Sequence, residues 1–230
     1  MNAKAVTVVF AHGAWADESS WSKVVSLLRA KSIKTVTVSL PFTSLPDDVA
    51  AVDKALDGID GTVVLVGHAY AGAVIQSTQS KKVKGLVFVA GLAPDEGETV
   101  AEIFNRFGHG GEAPELAPSD DGLIRLPASA FKTAFAQHAT AAEQTHLAAV
   151  QRPISPACIV VPVGTPLWKS VPSWFLIAQQ DHMIPEETQR FMAQRMNAHA
   201  RAFPVDHLPS VTAASLVTDI VEDAIQGVSG

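Results

Sequence analysis

Residues 67–71 read Gly67-His68-Ala69-Tyr70-Ala71, after the apolar run Val64-Leu65-Val66 and before Gly72-Ala73-Val74. This is the frame of a nucleophile elbow, the tight strand-to-helix corner that lifts one side chain above a parallel sheet. The small residues that permit such a corner are present. The position that normally carries the attacking serine is Ala69, which has no side-chain oxygen. The segment therefore predicts a specific local architecture and withholds the atom on which its usual covalent chemistry depends.

The rest of the chain is patterned to support such a corner. Short apolar runs at Ala5–Ala11, Lys34–Leu40, Thr62–Val66, Gly85–Ala90, Ser173–Ala178 and Arg201–Val205 read as strands. Most are apolar on successive residues, as expected of strands buried on both faces of a parallel sheet. Helical patterns fall between them, at about Ser20–Ala30, Asp47–Leu56, Ala71–Ser80, Pro185–Met196 and Val211–Ile225, with Ser19-Ser20 and Asp47 as expected N-caps of the first two. The alternation predicts a doubly wound, mostly parallel α/β sheet. It lapses between residues 92 and 169. There a Gly-, Pro- and acid-rich stretch with a short helix near Val100–Arg106 precedes a helical pair, Ala128–His138 and Ala141–Gln151. The expected organisation is a core of residues 1–91 and 170–230 carrying a lid insertion of residues 92–169, since long insertions between strands commonly serve as active-site lids.

Bulk properties narrow the function. The 230 residues are 47% hydrophobic and 17% charged, which suits one packed domain and argues against disorder. A formal net charge of -6, without a long Lys/Arg run, argues against a nucleic-acid or anionic-membrane partner. The single cysteine, Cys158, excludes an internal disulfide. It lies in the apolar run Ala157-Cys158-Ile159-Val160-Val161 and reads as a buried small hydrophobe. With no signal-like h-region and no apolar stretch of spanning length, the chain reads as cytoplasmic.

Three further segments accompany the elbow. His12-Gly13-Ala14-Trp15 directly follows the first strand. Asp181, in Gln179-Gln180-Asp181-His182-Met183-Ile184-Pro185, follows the fifth, where ligands of open α/β sheets bind. His207, in Asp206-His207-Leu208-Pro209, lies between the last strand and the last helix. With Gly67-His68-Ala69-Tyr70-Ala71-Gly72, these segments make the chain resemble the α/β-hydrolase superfamily, in its small esterase and hydroxynitrile-lyase-like branch, from Val6 to about Ile225.

The resemblance implies a set of roles. Position 69, Asp181 and His207 follow the superfamily order of nucleophile, acid and base. The N–H groups of Ala14 and Tyr70 would form an oxyanion hole, with His12, Gly13, Trp15 and His68 beside the substrate. The implied activity is hydrolysis of a small carboxylic ester, without cofactor or metal. Relatives usually carry serine at position 69, glycine at position 71 and often glycine at position 18, where this chain has Ala69, Ala71 and Glu18. The Ala69 departure leads to three readings: a serine esterase inactivated by a Ser→Ala change, an enzyme using only a His207/Asp181 general-base dyad in lyase-type chemistry, or a non-catalytic ligand-binding protein on the same fold.

Two other acids compete with Asp181. Asp95 follows the fourth strand, and Asp206 adjoins His207; the first matches the order of the superfamily less well, and the second would point to the opposite face of an extended segment. Gly108-His109-Gly110-Gly111 reads as a lid turn, and His138, His146, His182 and His199 lack metal-ligand spacing. Trp15, Trp21 and Tyr70 are candidates for lining an apolar pocket, with packing of the first helix the alternative for the two tryptophans.

Overall fold

The computed structural model describes residues 6–229. The expected strand residue Ala5 lies outside them. Six strands form one all-parallel sheet in the order β2-β1-β3-β4-β5-β6. They are β1 (Val6–Ala11), β2 (Lys34–Val38), β3 (Thr62–His68), β4 (Val83–Val89), β5 (Ser173–Ala178) and β6 (His199–Phe203). Every inner strand is nearly continuous in apolar residues because both faces are covered.

The strand period of two divides the core between those faces. Val8, Phe10, Val64, Val66, Val87, Val89, Trp174 and Leu176 pack with helices α1 (Ser22–Ala30) and α8 (Ala214–Val228). Val9, Ala11, Val63, Leu65, Leu86, Phe88, Phe175 and Ile177 pack on the other side. That side carries α2 (Leu45–Asp57), α3 (Ala71–Ile75), α6 (Glu186–Arg195) and the long excursion between β4 and β5. The excursion contains α4 (Val100–Phe104) and α5 (Ala141–Val150), and α7 (Pro209–Thr212) precedes α8.

Several boundaries differ from the sequence reading for identifiable reasons. The corner helix α3 ends at Ile75 and does not reach Ser80. Beyond it the Ser77 hydroxyl bonds back to the Ala73 carbonyl, and the Thr78 hydroxyl takes the Ser80 amide and bonds Asp53, so side chains replace the helical ladder. The α2 cap is Ser44, whose hydroxyl accepts the Asp47 amide at 3.2 Å; Asp47 lies inside the first turn. A 3₁₀ turn, Glu18–Trp21, capped by Asp17, occupies the predicted start of α1. The expected helix Ala128–His138 contracts to a single π-helical turn, Phe131–Phe135, that buries Phe131, Ala134 and Phe135.

Two close approaches hold the corner after β3. A Cβ on Gly67 would lie 2.7 Å from the Ala71 carbonyl oxygen, and one on Gly72 would lie 2.5 Å from that of Leu92. Both contacts are with backbone, which cannot step aside cheaply. Gly67→Ala is expected to cost about 3 kcal/mol in urea unfolding. Gly164→Ala, at a position where an added Cβ meets nothing within 4 Å, is expected to stay within about 0.5 kcal/mol of the parent.

Candidate active site

The site is assembled at the carboxyl ends of β1, β3, β5 and β6. Ala69 leaves β3 in the left-handed region, with φ 47°. Such a conformation at a non-glycine residue is strained and persists only where the surroundings impose it. Here its amide donates to the Val89 carbonyl at 3.2 Å, and its carbonyl accepts the amides of Gly72 at 3.0 Å and Leu92 at 2.9 Å. The corner is thus fixed from both sides, and the methyl of Ala69 faces a cavity of about 490 Å³.

Asp181 follows β5, and its carboxylate receives four N–H groups. Oδ1 accepts the amides of Met183 and Ile184, each at 2.8 Å. Oδ2 accepts the Gln189 side-chain amide at 2.9 Å and His207 Nδ1 at 2.8 Å. The His207–Asp181 pair is buried, with side-chain exposures of 2% and 0%. An acceptor opposite Nδ1 assigns the proton to that nitrogen, leaving the Nε2 lone pair for chemistry. His207 and Ala69 line the same cavity.

The two competing acids are committed elsewhere. Asp95 forms an ion pair with Lys169 at 2.5 Å. Asp206 accepts the His138 amide at 3.0 Å and the Thr212 hydroxyl at 2.6 Å. Its separation from His207 does not come from strand alternation, since β6 ends at Phe203.

Ala14, Trp15 and Tyr70 line the cavity, whereas His12, Gly13 and His68 do not. The expectation that these last three sit beside the substrate is corrected by packing. The fully buried His12 donates from Nδ1 to the Gly13 carbonyl at 3.1 Å and accepts the Leu40 amide on Nε2 at 3.2 Å, tying the loop after β1 to the end of β2. Gly13 lies against the corner; a Cβ there would fall 2.6 Å from His68 Nδ1 and 3.2 Å from the Ala69 methyl. His68 donates from Nε2 to the His207 carbonyl at 2.7 Å, with the two rings 4.7 Å apart. Trp21 does not line the cavity; it takes the alternative place, with α1 on the opposite face of the sheet, packing on Phe10 at 4.9 Å.

The insertion supplies the cavity's roof. Val100, Ala101, Phe104, His109, Leu116, Ile124, Ile154 and Ile159 all line it, so the surface is mainly apolar. Trp15 ties that roof to the site. Its backbone is left-handed, with φ 58°, its amide donates to the Arg152 carbonyl at 3.1 Å, and its indole N–H donates to the Ile124 carbonyl at 3.0 Å. The Trp15 amide is thereby directed away from the cavity, whereas the amides of Ala14 and Tyr70 make no hydrogen bond among the described residues.

Two supporting residues escaped the sequence reading. Gln189 occupies the buried face of α6 and braces Asp181; a polar residue within the stripe Thr188, Gln189, Met192 and Ala193 was its only signal. Phe135, from the π turn, packs 5.2 Å from the His207 ring and 6.5 Å from Trp15.

Burial lowers the pKa of both His12 and His68, and the neighbouring His207 lowers that of His68 further. Both rings therefore bind a proton less readily in the native state than in the unfolded chain, where histidine titrates near pH 6.5. Their contribution is therefore retained above that pH and lost below it, at up to about 1.4 kcal/mol per pH unit for each histidine. Urea unfolding between pH 7 and 5.5 is expected to show this loss, with the slope smaller by one proton in His68→Gln.

Comparison with known proteins places this geometry in a family. A family model described as "Alpha/beta hydrolase family" matches residues 8–219. Among curated relatives, Methylesterase 1 of Arabidopsis thaliana is 25% identical, the match covering 86% of each chain. Methylesterase 8 of the same plant is 24% identical over 92% of this chain and 86% of its own. Among solved structures, polyneuridine aldehyde esterase superposes with a TM-score of 0.82 at 18% identity, over 94% of this chain and 98% of the other. A pyrethroid hydrolase from Sphingobium faniae gives 0.77 at 19% identity, over 95% and 96%. The chain belongs to the α/β-hydrolase family.

Proposed function

We propose that this α/β-hydrolase is a serine-type carboxylic ester hydrolase scaffold in which Ala69 occupies the nucleophile position, so that it binds a small ester without turning it over. The observation that carries this reading is the left-handed corner at Ala69, on the same cavity as a His207 ring bonded to Asp181. With serine at 69, His207 Nε2 would take the hydroxyl proton as the oxygen attacked the ester carbonyl. The Ala14 and Tyr70 amides would receive the oxyanion, His207 would return the proton to the leaving alcohol, and water would release the acid.

Alanine removes the first bond-forming step and leaves the rest of the arrangement standing. Loss of a triad nucleophile costs on the order of 10⁶ in kcat. The apolar lining supports an uncharged, hydrophobic ester as ligand, and the methylesterase relatives support a small alcohol group. Residues 92–169 act in this reading as the cap over the bound ester. The intact Asp181–His207 pair also supports a second reading, in which His207 serves as general base without a covalent nucleophile.

Ala69→Ser is expected to raise p-nitrophenyl ester hydrolysis by at least about 10³-fold, and adding His207→Ala should abolish the gain. An Ala69→Ser protein that folds but hydrolyses no faster than its parent would refute the esterase reading. The second reading requires that His207→Ala, in the Ala69 chain, remove whatever native activity that chain has.

A further inference from the structure

A second buried carboxylate lies behind the site, and neither the esterase reading nor the family resemblance assigns it a role. Asp48, in the first turn of α2, is fully buried and makes no ion pair among the described residues. Oδ1 accepts the Phe42 amide at 2.8 Å. Oδ2 accepts the Tyr70 hydroxyl at 2.6 Å, and the Cys158 thiol approaches it at 3.7 Å. The three donors come from three segments: the loop after β2, the corner after β3, and the insertion. Phe42 joins two of them again, since its carbonyl accepts the Ser155 amide at 3.0 Å.

A buried carboxylate without a cation is a costly way to fill a core, where an apolar side chain of similar size is often neutral or stabilising. What it supplies is direction, because each donor is held at a defined point. Tyr70 carries both groups that matter. Its hydroxyl is bound by Asp48, and its main-chain amide, next to Ala69 in a residue that lines the cavity, has no hydrogen-bond partner among the described residues. The first turn of a thirteen-residue helix favours a negative charge at Asp48.

We propose that Asp48 is a positioning residue, whose carboxylate fixes Tyr70, and with it the cavity-facing amide, and joins that element to the cap segment at Cys158. This rests on the esterase reading only for the consequence of a misplaced amide, which is a slower chemical step. The electrostatics agree with the geometry. Burial pushes the carboxyl of Asp48 and the hydroxyl of Tyr70 up, and with the nearby carboxylate it pushes the Cys158 thiol up to about 12.

The network can be followed directly, because Tyr70 is the only tyrosine and Cys158 the only cysteine of the chain. In the Ala69 chain, alkaline ultraviolet titration is expected to show no tyrosinate before unfolding, and Ellman's reagent should not label the native thiol. In Asp48→Asn, which keeps the size of the side chain, Tyr70 should ionise at lower pH and labelling should quicken by about tenfold or more. In the Ala69→Ser background, Asp48→Asn and Tyr70→Phe should each lower kcat by about tenfold or more. KM should hardly move, and the double variant should be no slower than the worse single one.

Unchanged labelling and titration in a folded Asp48→Asn chain would overturn the proposal. So would a Tyr70→Phe variant with parental kcat, or variants that lower the melting temperature alone, with parental kcat per folded molecule. Should Asp48→Asn not fold, Tyr70→Phe decides by thiol labelling and kcat. An inactive Ala69→Ser chain would defeat the esterase reading and leave the two spectroscopic arms to judge Asp48.

Discussion

The carboxyl edge of the sheet is organised around the strained corner at Ala69. Ala69 occupies a left-handed conformation at the end of the strand β3. The backbone gains nothing from it locally, so the surroundings must hold it. They do so by close approach. Gly67 and Gly72 let the chain fold back on itself, and Gly13 lets the loop after β1 lie on the corner with no side chain between. Ala14, Ala69, Tyr70 and His207 line the same cavity, and the His68 ring packs 4.7 Å from that of His207.

Two carboxylates do the orienting, and they differ in kind. Asp181 faces the histidine and is held by two main-chain amides and the side chain of Gln189. An acceptor so fully matched fixes the ring it faces in both tautomer and direction. Asp48 faces away from the cavity, toward a hydroxyl, an amide and a thiol. One bonds the His207 ring and the other the Tyr70 hydroxyl, both residues of the cavity wall.

The insertion is bound into the site as well as lying over it. Trp15 reaches two of its carbonyls, Phe42 accepts the Ser155 amide, and Phe135 returns to pack on His207 and Trp15. An apolar roof made this way shields the His207–Asp181 pair from water, and low polarity strengthens every charge interaction beneath it. The same contacts make the roof and the carboxyl edge of the sheet one packed unit, which explains why a segment without a sheet strand still buries Phe131, Phe135, Leu147 and Ile154.

The order of the strands' apolar runs, the corner at 67–72 and the placement of Asp181 and His207 after strands were all legible in the sequence. They follow from local rules: periodicity, small residues at a tight turn, and the ends of strands as places where side chains emerge. What a line of residues could not reveal was which side chain faces which. His12 and His68 carry the chemistry of ligand-binding residues, yet packing commits the Nε2 of each to a backbone group of another segment. Asp48, Gln189 and Phe135 read as ordinary helix or loop residues. Asp48, for one, meets its side-chain partners only when segments 22 and 110 positions away come within bonding distance, and such proximity is a property of packed layers, decided by tertiary structure alone.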